Sequence, residues 1–324
     1  MTTVHGGRRH TASVPDLVSR ARDGQTAAVA RLISLVENES PLLREVMAAL
    51  VPHAGHAHLV GLTGSPGVGK STTTNALVGE LRRRGLTVAV LAVDPSSPFS
   101  GGALLGDRIR MTDHATDPGV LIRSMASRGH LGGLARATPQ AVRVLDAAGF
   151  DVVLVETVGV GQSEVEIAGL ADTTAVLLAP GLGDGIQAAK AGVLEIGDLY
   201  VVNKADREGA DVVRRELRTM LSLSQRPEGS WERPVLKTVA RSGEGVSEVV
   251  DALEKHRAHL RDTGELRRRR TRRAEREIEA LATAALRRRW GTARGAVSLP
   301  ELAVAVVEGR TDPHSAADLL LAEG

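Results

Sequence analysis

The stretch GSPGVGKS, Gly64 to Ser71, constrains this chain more than any other. It fits G-x-x-x-x-G-K-[ST], and its flanks matter as much as the string. Before it, HLVGLT (His58 to Thr63) is mostly apolar and reads as a buried strand; after it, STTTNALVGELRRRG reads as a helix closed by Gly85. Strand, glycine-rich turn and helix together make a cradle for a phosphate chain. Glycines let the backbone curl so that successive N–H groups converge on one anion. The helix aims its positive end at the same place. Gly64, Ser65, Pro66, Gly67, Val68, Gly69, Lys70, Ser71 and Thr72 are therefore the candidate phosphate site. Lys70 supplies a point charge for the outer phosphates, and Ser71 offers a hydroxyl to a magnesium ion.

From His58 onward, strands alternate with helices. The strand candidates are His58 to Thr63, Thr87 to Asp94, Val120 to Ser124, Asp151 to Val158, Thr173 to Pro180, Leu199 to Asp206 and Pro234 to Ala240. Most are near-continuous aliphatic runs, which mark strands buried on both faces of a mainly parallel sheet flanked by helices. The predicted core is Val60, Leu62, Val88, Val90, Leu91, Val153, Val155, Val176, Leu178, Val201 and Val202. A helical piece precedes this region, with apolar spacing from Val14 to Leu35 broken near Asp23-Gly24, then a helix from Leu42 to Leu50. A helix from Val246 to about Arg261, a charged one from Glu265 to Trp290 and two short ones follow it. The fold class is α/β: a P-loop NTPase core with N- and C-terminal helical extensions.

Aromatic residues make up only 2 %, so the core is aliphatic and base-stacking platforms for single-stranded nucleic acid are disfavoured. There is no cysteine, which excludes disulfides, zinc fingers and thiol catalysis and fits a reducing cytoplasm. No run approaches the ~18 apolar residues of a membrane span, and the N-terminus has no signal-peptide core. Residues 261–289 hold eleven arginines against five acids, a local excess in a chain whose net charge is +2. RRRRTRR (Arg267 to Arg273) is followed directly by Glu275, Glu277 and Glu279, so it reads as a solvated helix face or subunit contact rather than a nucleic-acid surface.

NKAD, Asn203 to Asp206, fits the guanine-reading pattern N-K-x-D at a strand end. A carboxylate only accepts hydrogen bonds, and guanine offers two donors in line, N1–H and N2–H₂. Adenine would leave Asp206 facing an acceptor, a mismatch of the kind worth ~10⁴-fold in discrimination. Asn203 would brace the phosphate loop, and the Lys204 stem would lie over the purine. Thr238, Val239 and Ala240, at the end of the last strand, lie where guanine-reading proteins place backbone N–H groups against the guanine carbonyl, though the string itself carries little information.

Magnesium takes six oxygens, usually waters and phosphate oxygens with one or two carboxylates. Besides Ser71, the candidates are Asp94 at a strand end, Asp107 at the far end of the loop DPSSPFSGGALLGDR, and Glu156 ending DVVLVE. Each acid also has a plainer reading: a turn for Asp94, a solvated loop for Asp107, a structural hydrogen bond for Glu156. Glu156 begins E-x-x-G, and the N–H of Gly159 can approach the γ-phosphate. Gln162 is the nearest candidate for holding an attacking water, though a solvated loop glutamine reads as well. With no stronger candidate, slow hydrolysis is expected until a partner completes the site.

Taken together, GSPGVGKST, DPSSPFSGGALLGDR, VETVGVGQSE and PGLGDGIQAAKAGVLEIGDLYVVNKAD resemble the MeaB/ArgK/MMAA family. These are G-protein chaperones of adenosylcobalamin-dependent acyl-CoA mutases, chiefly methylmalonyl-CoA mutase. The resemblance covers roughly residues 15–310, and E-x-x-G in place of D-x-x-G is normal in that family. It implies a SIMIBI-class GTPase that binds GTP/GDP with Mg²⁺ and meets adenosylcobalamin only through the partner mutase. It implies a flexible segment 1–13, a helical extension 14–55, a GTPase domain 56–262 and a C-terminal extension 263–324 that serves homodimerisation. Gly181 to Lys190 looks like the family's third switch, with Asp184, Gln187 and Lys190 signalling nucleotide state to the mutase.

Two rivals share the phosphate loop. A nickel-delivery GTPase needs Cys/His metal sites, against zero cysteines and dispersed histidines. His5, His10, His53, His56 and His58 cluster only loosely and show no cobalt-ligand pattern. A kinase of amino-acid-binding transport proteins needs ATP preference, which NKAD opposes.

Overall fold

The computed structural model describes residues 13–94, 113–114, 116–126, 137–157, 163–181, 194–223, 229–292 and 298–322. The chain divides into two compact units, Met1–Leu266 and Arg267–Gly324.

The first unit is built on seven strands: β1 (His58–Thr63), β2 (Val88–Asp94), β3 (Val120–Ala126), β4 (Val152–Thr157), β5 (Thr173–Leu178), β6 (Leu199–Val202) and β7 (Val235–Lys237). They pair in the order β3-β2-β4-β1-β5-β6-β7, every pairing parallel. β1, β4, β5 and β6 are buried along their whole length, which explains the absence of polar alternation in their sequences. All eleven residues of the predicted core are buried.

The sheet's two faces carry different helices. Around it lie α1 (Val14–Arg22), α2 (Thr26–Glu37), α3 (Leu43–Leu50), α4 (Lys70–Arg83), α5 (Thr138–Ala147), α6 (Ser163–Leu170), α7 (Ala210–Leu223) and α8 (Val246–Asp262). Val60, Leu62, Val90, Leu154 and Val201 pack against α4 and α8. The alternate residues Leu59, Leu91, Val153 and Val155 face the cluster that holds α5, α6 and the N-terminal helices. Val176, Leu178 and Tyr200 meet α7. α1 starts with Ser13 accepting from the Asp16 amide at 3.4 Å, and with proline in its first turn. Helices α1 to α3 share one hydrophobic core with the sheet face, and Arg123 of β3 donates to Glu37 of α2.

At the strands' starting edge, buried polar side chains stitch α8 to the sheet. Thr173 Oγ1 lies 2.8 Å from His58 Nε2 and 2.8 Å from His256 Nδ1. Asp198 lies 3.5 Å from His256 Nε2 and receives the Thr174 amide at 2.8 Å. The Trp231 indole donates to the Asp198 carbonyl at 2.8 Å and packs at a tilt against the His256 ring, centroids 4.9 Å apart.

The second unit holds most of α9 (Glu265–Thr292), with α10 (Leu299–Val307) and α11 (Pro313–Ala322). Helix α10 opens with a reciprocal cap between Ser298 and Glu301. The Ser298 amide and hydroxyl hold the Glu301 carboxyl below its usual range. Leu302 and Ala305 of α10 and Ala316 of α11 are buried, whereas Ile278 and Leu281 of α9 are exposed. Among the described residues, no helix is long and apolar enough to cross a membrane.

Candidate functional site

The candidate residues that the structure describes converge where parallel strands end, the edge at which open α/β sheets hold ligands. The phosphate loop leaves β1 through Gly64, whose φ of +145° and approach to Leu177 admit no side chain: an added Cβ would stand 2.3 Å from the Leu177 carbonyl oxygen. The loop enters α4 through Gly69 at φ +97°, with no side-chain cap on the helix. A glycine there has no hydroxyl or carboxylate to take the first-turn N–H groups, so they stay directed at the loop. Lys70, 7 % exposed, donates its ammonium to the Gly64 carbonyl at 2.7 Å and the Ser65 carbonyl at 3.2 Å. Val68 is buried; Pro66, Gly67 and Thr72 are exposed.

The strand end that carries Asn203 to Asp206 is tied to this loop. Asn203, 3 % exposed, donates Nδ2 to the Val68 carbonyl at 2.9 Å. Its Oδ1 accepts from the Thr238 hydroxyl at 3.2 Å and the Ala240 amide at 3.1 Å. Lys204, held at φ +56°, donates Nζ to the Gly67 carbonyl at 2.6 Å. Asp206 is exposed and makes no hydrogen bond within the described residues. Residues 238–240 follow β7 beside Asn203. The amide of Thr238 donates to Val202, that of Val239 to Glu244 and that of Ala240 to Asn203. Each of these N–H groups has a partner inside the fold, and the Thr238 hydroxyl and Ala240 amide orient the Asn203 side chain.

A second cluster joins the loop to β4. Glu156, 4 % exposed, receives the Ser71 hydroxyl on Oε1 at 2.7 Å and the Thr74 hydroxyl on Oε2 at 2.8 Å. Thr74 had no sequence signal of its own; it is one threonine in a run, and only the fold brings it to Glu156. Asp94 ends β2 at the same sheet edge, but its side chain lies outside the described residues, as do Asp107, Gly159, Gln162, Asp184, Gln187 and Lys190. Among the described residues, no three His, Cys, Asp or Glu side chains form a metal cluster. The donors present are a hydroxyl and a carboxylate, hard oxygens that suit Mg²⁺ completed by phosphate and water.

Helix α4 is anchored at its far end. Arg82 pairs with Asp117 at 2.8 Å, and Arg84 pairs with Glu80 at 2.9 Å and Asp251 at 2.7 Å. Hydrogen bonds from Arg82 hold the Asp117 carboxyl below its usual range. Burial alone would raise the Glu80 carboxyl, but hydrogen bonds from Arg83 and Arg84 outweigh it and keep that group low.

Known proteins share this fold. A solved structure titled a LAO/AO transport system kinase superposes with a TM-score of 0.69 at 28 % identity, covering 96 % of this chain and 97 % of that one. A putative GTPase of Pyrococcus abyssi is 47 % identical over 312 residues, 96 % of each chain. The mouse methylmalonic aciduria type A homolog, named as mitochondrial, is 37 % identical over 260 residues, 75 % of this chain and 63 % of that one. The family model described as methylmalonyl Co-A mutase-associated GTPase MeaB matches residues 29–294. The chain belongs to that family of guanine-nucleotide-binding GTPases.

Proposed function

We propose that this chain is a magnesium-dependent GTP-hydrolysing chaperone. It gates the loading of intact adenosylcobalamin, or the release of damaged cofactor, on an acyl-CoA mutase such as methylmalonyl-CoA mutase. The observation that carries the nucleotide half is Asn203, which bonds the phosphate loop with one end of its amide and the guanine-side segment with the other. The mutase half is supported by the family's description and by the mouse relative's name.

In this reading the loop amides and Lys70 grip the phosphates, and Asp206 accepts from guanine N1–H and N2–H₂. Ser71 and Glu156, with Asp94 and Asp107, hold Mg²⁺, which neutralises charge on the β- and γ-phosphates when bound. Gly159 and Gln162 serve the γ-phosphate and the attacking water. Asp184, Gln187 and Lys190 relay nucleotide state to the mutase. Adenosylcobalamin is cargo held by that partner, and the protein acts in the cytoplasm. Residues 263–324 form a homodimer contact, consistent with the exposed Ile278 and Leu281.

The test is phosphate release from GTP with and without purified methylmalonyl-CoA mutase, and cobalamin transfer with GTP against a non-hydrolysable analogue. Acceleration by the mutase and nucleotide-dependent transfer are expected. Equal turnover and transfer in all arms would remove the chaperone reading, and a preference for ATP would favour the kinase alternative.

A further inference from the structure

We infer that Thr74 is a positioning residue for the metal-facing carboxylate of Glu156. The inference rests on the reading of Ser71 and Glu156 as the magnesium site.

Ser71 and Thr74 stand three residues apart on α4, so they share a face of the helix. Their hydroxyls take one oxygen each of the same buried carboxylate: Oε1 at 2.7 Å from Ser71 and Oε2 at 2.8 Å from Thr74. The two contacts come from one rigid helix, and each orients one oxygen of the carboxylate. Thr74 Oγ1 also lies 3.0 Å from the Lys70 carbonyl. A hydroxyl has one proton, and both the carbonyl and an ionised carboxylate only accept. Thr74 therefore donates to one of them at a time. When it donates to Glu156, Oε1 is held beside the Ser71 hydroxyl. When it donates to the Lys70 carbonyl, its hydrogen bond to Oε2 is lost. Groups that orient metal-binding carboxylates from behind typically carry ~10- to 100-fold in metal affinity. Thr74 is fully buried, so no bulk water replaces its hydroxyl.

The experiment uses Thr74→Val, which keeps the shape and removes the hydroxyl, and Thr74→Ser, which keeps the hydroxyl. Binding of a fluorescent GTP analogue to the full chain is measured in EDTA and across a magnesium titration. Thr74→Val should raise the magnesium concentration at half-effect by about 10-fold, the low end of that range. It should leave affinity in EDTA within about two-fold, and Thr74→Ser should restore the wild-type titration. A wild-type magnesium response in Thr74→Val would overturn the inference. Equal loss of affinity in EDTA would also overturn it, because the residue would then serve the phosphate loop through Lys70. If the wild-type chain itself shows no magnesium response, it is the metal reading of Ser71 and Glu156 that fails.

Discussion

Replacing Thr173 by valine tests whether the polar stitch at the starting edge of the sheet holds the fold together. The substitution keeps the shape and removes one oxygen that lies 2.8 Å from a nitrogen of each of two histidines. Thr173 and His256 are fully buried and His58 is 4 % exposed, so bulk water does not take the hydroxyl's place. Depriving a buried polar group of a partner costs ~1–3 kcal/mol. Two ring nitrogens are affected, and the added methyl recovers a little, so the expected loss is about 3 kcal/mol. Trp231 reports on it directly, because its ring packs against His256. Urea unfolding followed by tryptophan fluorescence, in a Trp290→Phe background that isolates Trp231, should show a lower midpoint with an unchanged slope. Thr173→Ser should stay near wild type. GTP affinity in Thr173→Val should be unchanged at low urea, since the stitch and the phosphate loop occupy opposite ends of the strands. A loss below about 0.5 kcal/mol would refute the reasoning, because the hydroxyl would then be replaceable.

Three further outcomes follow from the same geometry. Lys70→Ala should abolish measurable GTP binding by calorimetry while leaving the thermal midpoint close to wild type. Gly69→Ala should lose nucleotide binding and stability together, because an added Cβ would stand 2.5 Å from Asn203 Nδ2 at a φ of +97°; circular dichroism melts beside a binding titration check both. The depressed Asp117 carboxyl contributes stability that is full above its unfolded pKa and lost as pH falls through the lower folded value. Arg82→Met should therefore flatten the stability profile in acid, below about pH 4, and thermal melts from pH 7 to pH 3 would show it.

Much of this was legible in the sequence because burial on both faces leaves uninterrupted aliphatic runs, and seven such runs became seven strands. The ends were less legible. Leu199 to Asp206 reads as one extended stretch, yet β6 stops at Val202 and Lys204 turns to φ +56°, which carries Asn203 back under the phosphate loop. Hydropathy does not register that turn. Pro234 to Ala240 likewise reads as one stretch, yet β7 ends at Lys237, and the Val239 and Ala240 amides beyond it turn to the Glu244 carbonyl and the Asn203 side chain. Thr74 and Thr173 were invisible for a different reason. Their partners lie 82 and 83 or more residues away in sequence, so no local pattern records them. The histidines illustrate the same limit: His58 reads as the first residue of a buried strand, but its link through Thr173 to His256 has no local pattern.

Because one amide side chain serves both halves of the nucleotide pocket, fuel choice and fuel grip are not independently adjustable at Asn203. Any engineer who edits that position to admit another nucleotide will loosen the triphosphate as well. Asp206 offers the separable control: it is exposed and supports nothing else among the described residues. An asparagine there, presenting one donor and one acceptor, would suit xanthine's second carbonyl and yield an orthogonal version of this protein, addressable by a nucleotide that other GTPases ignore.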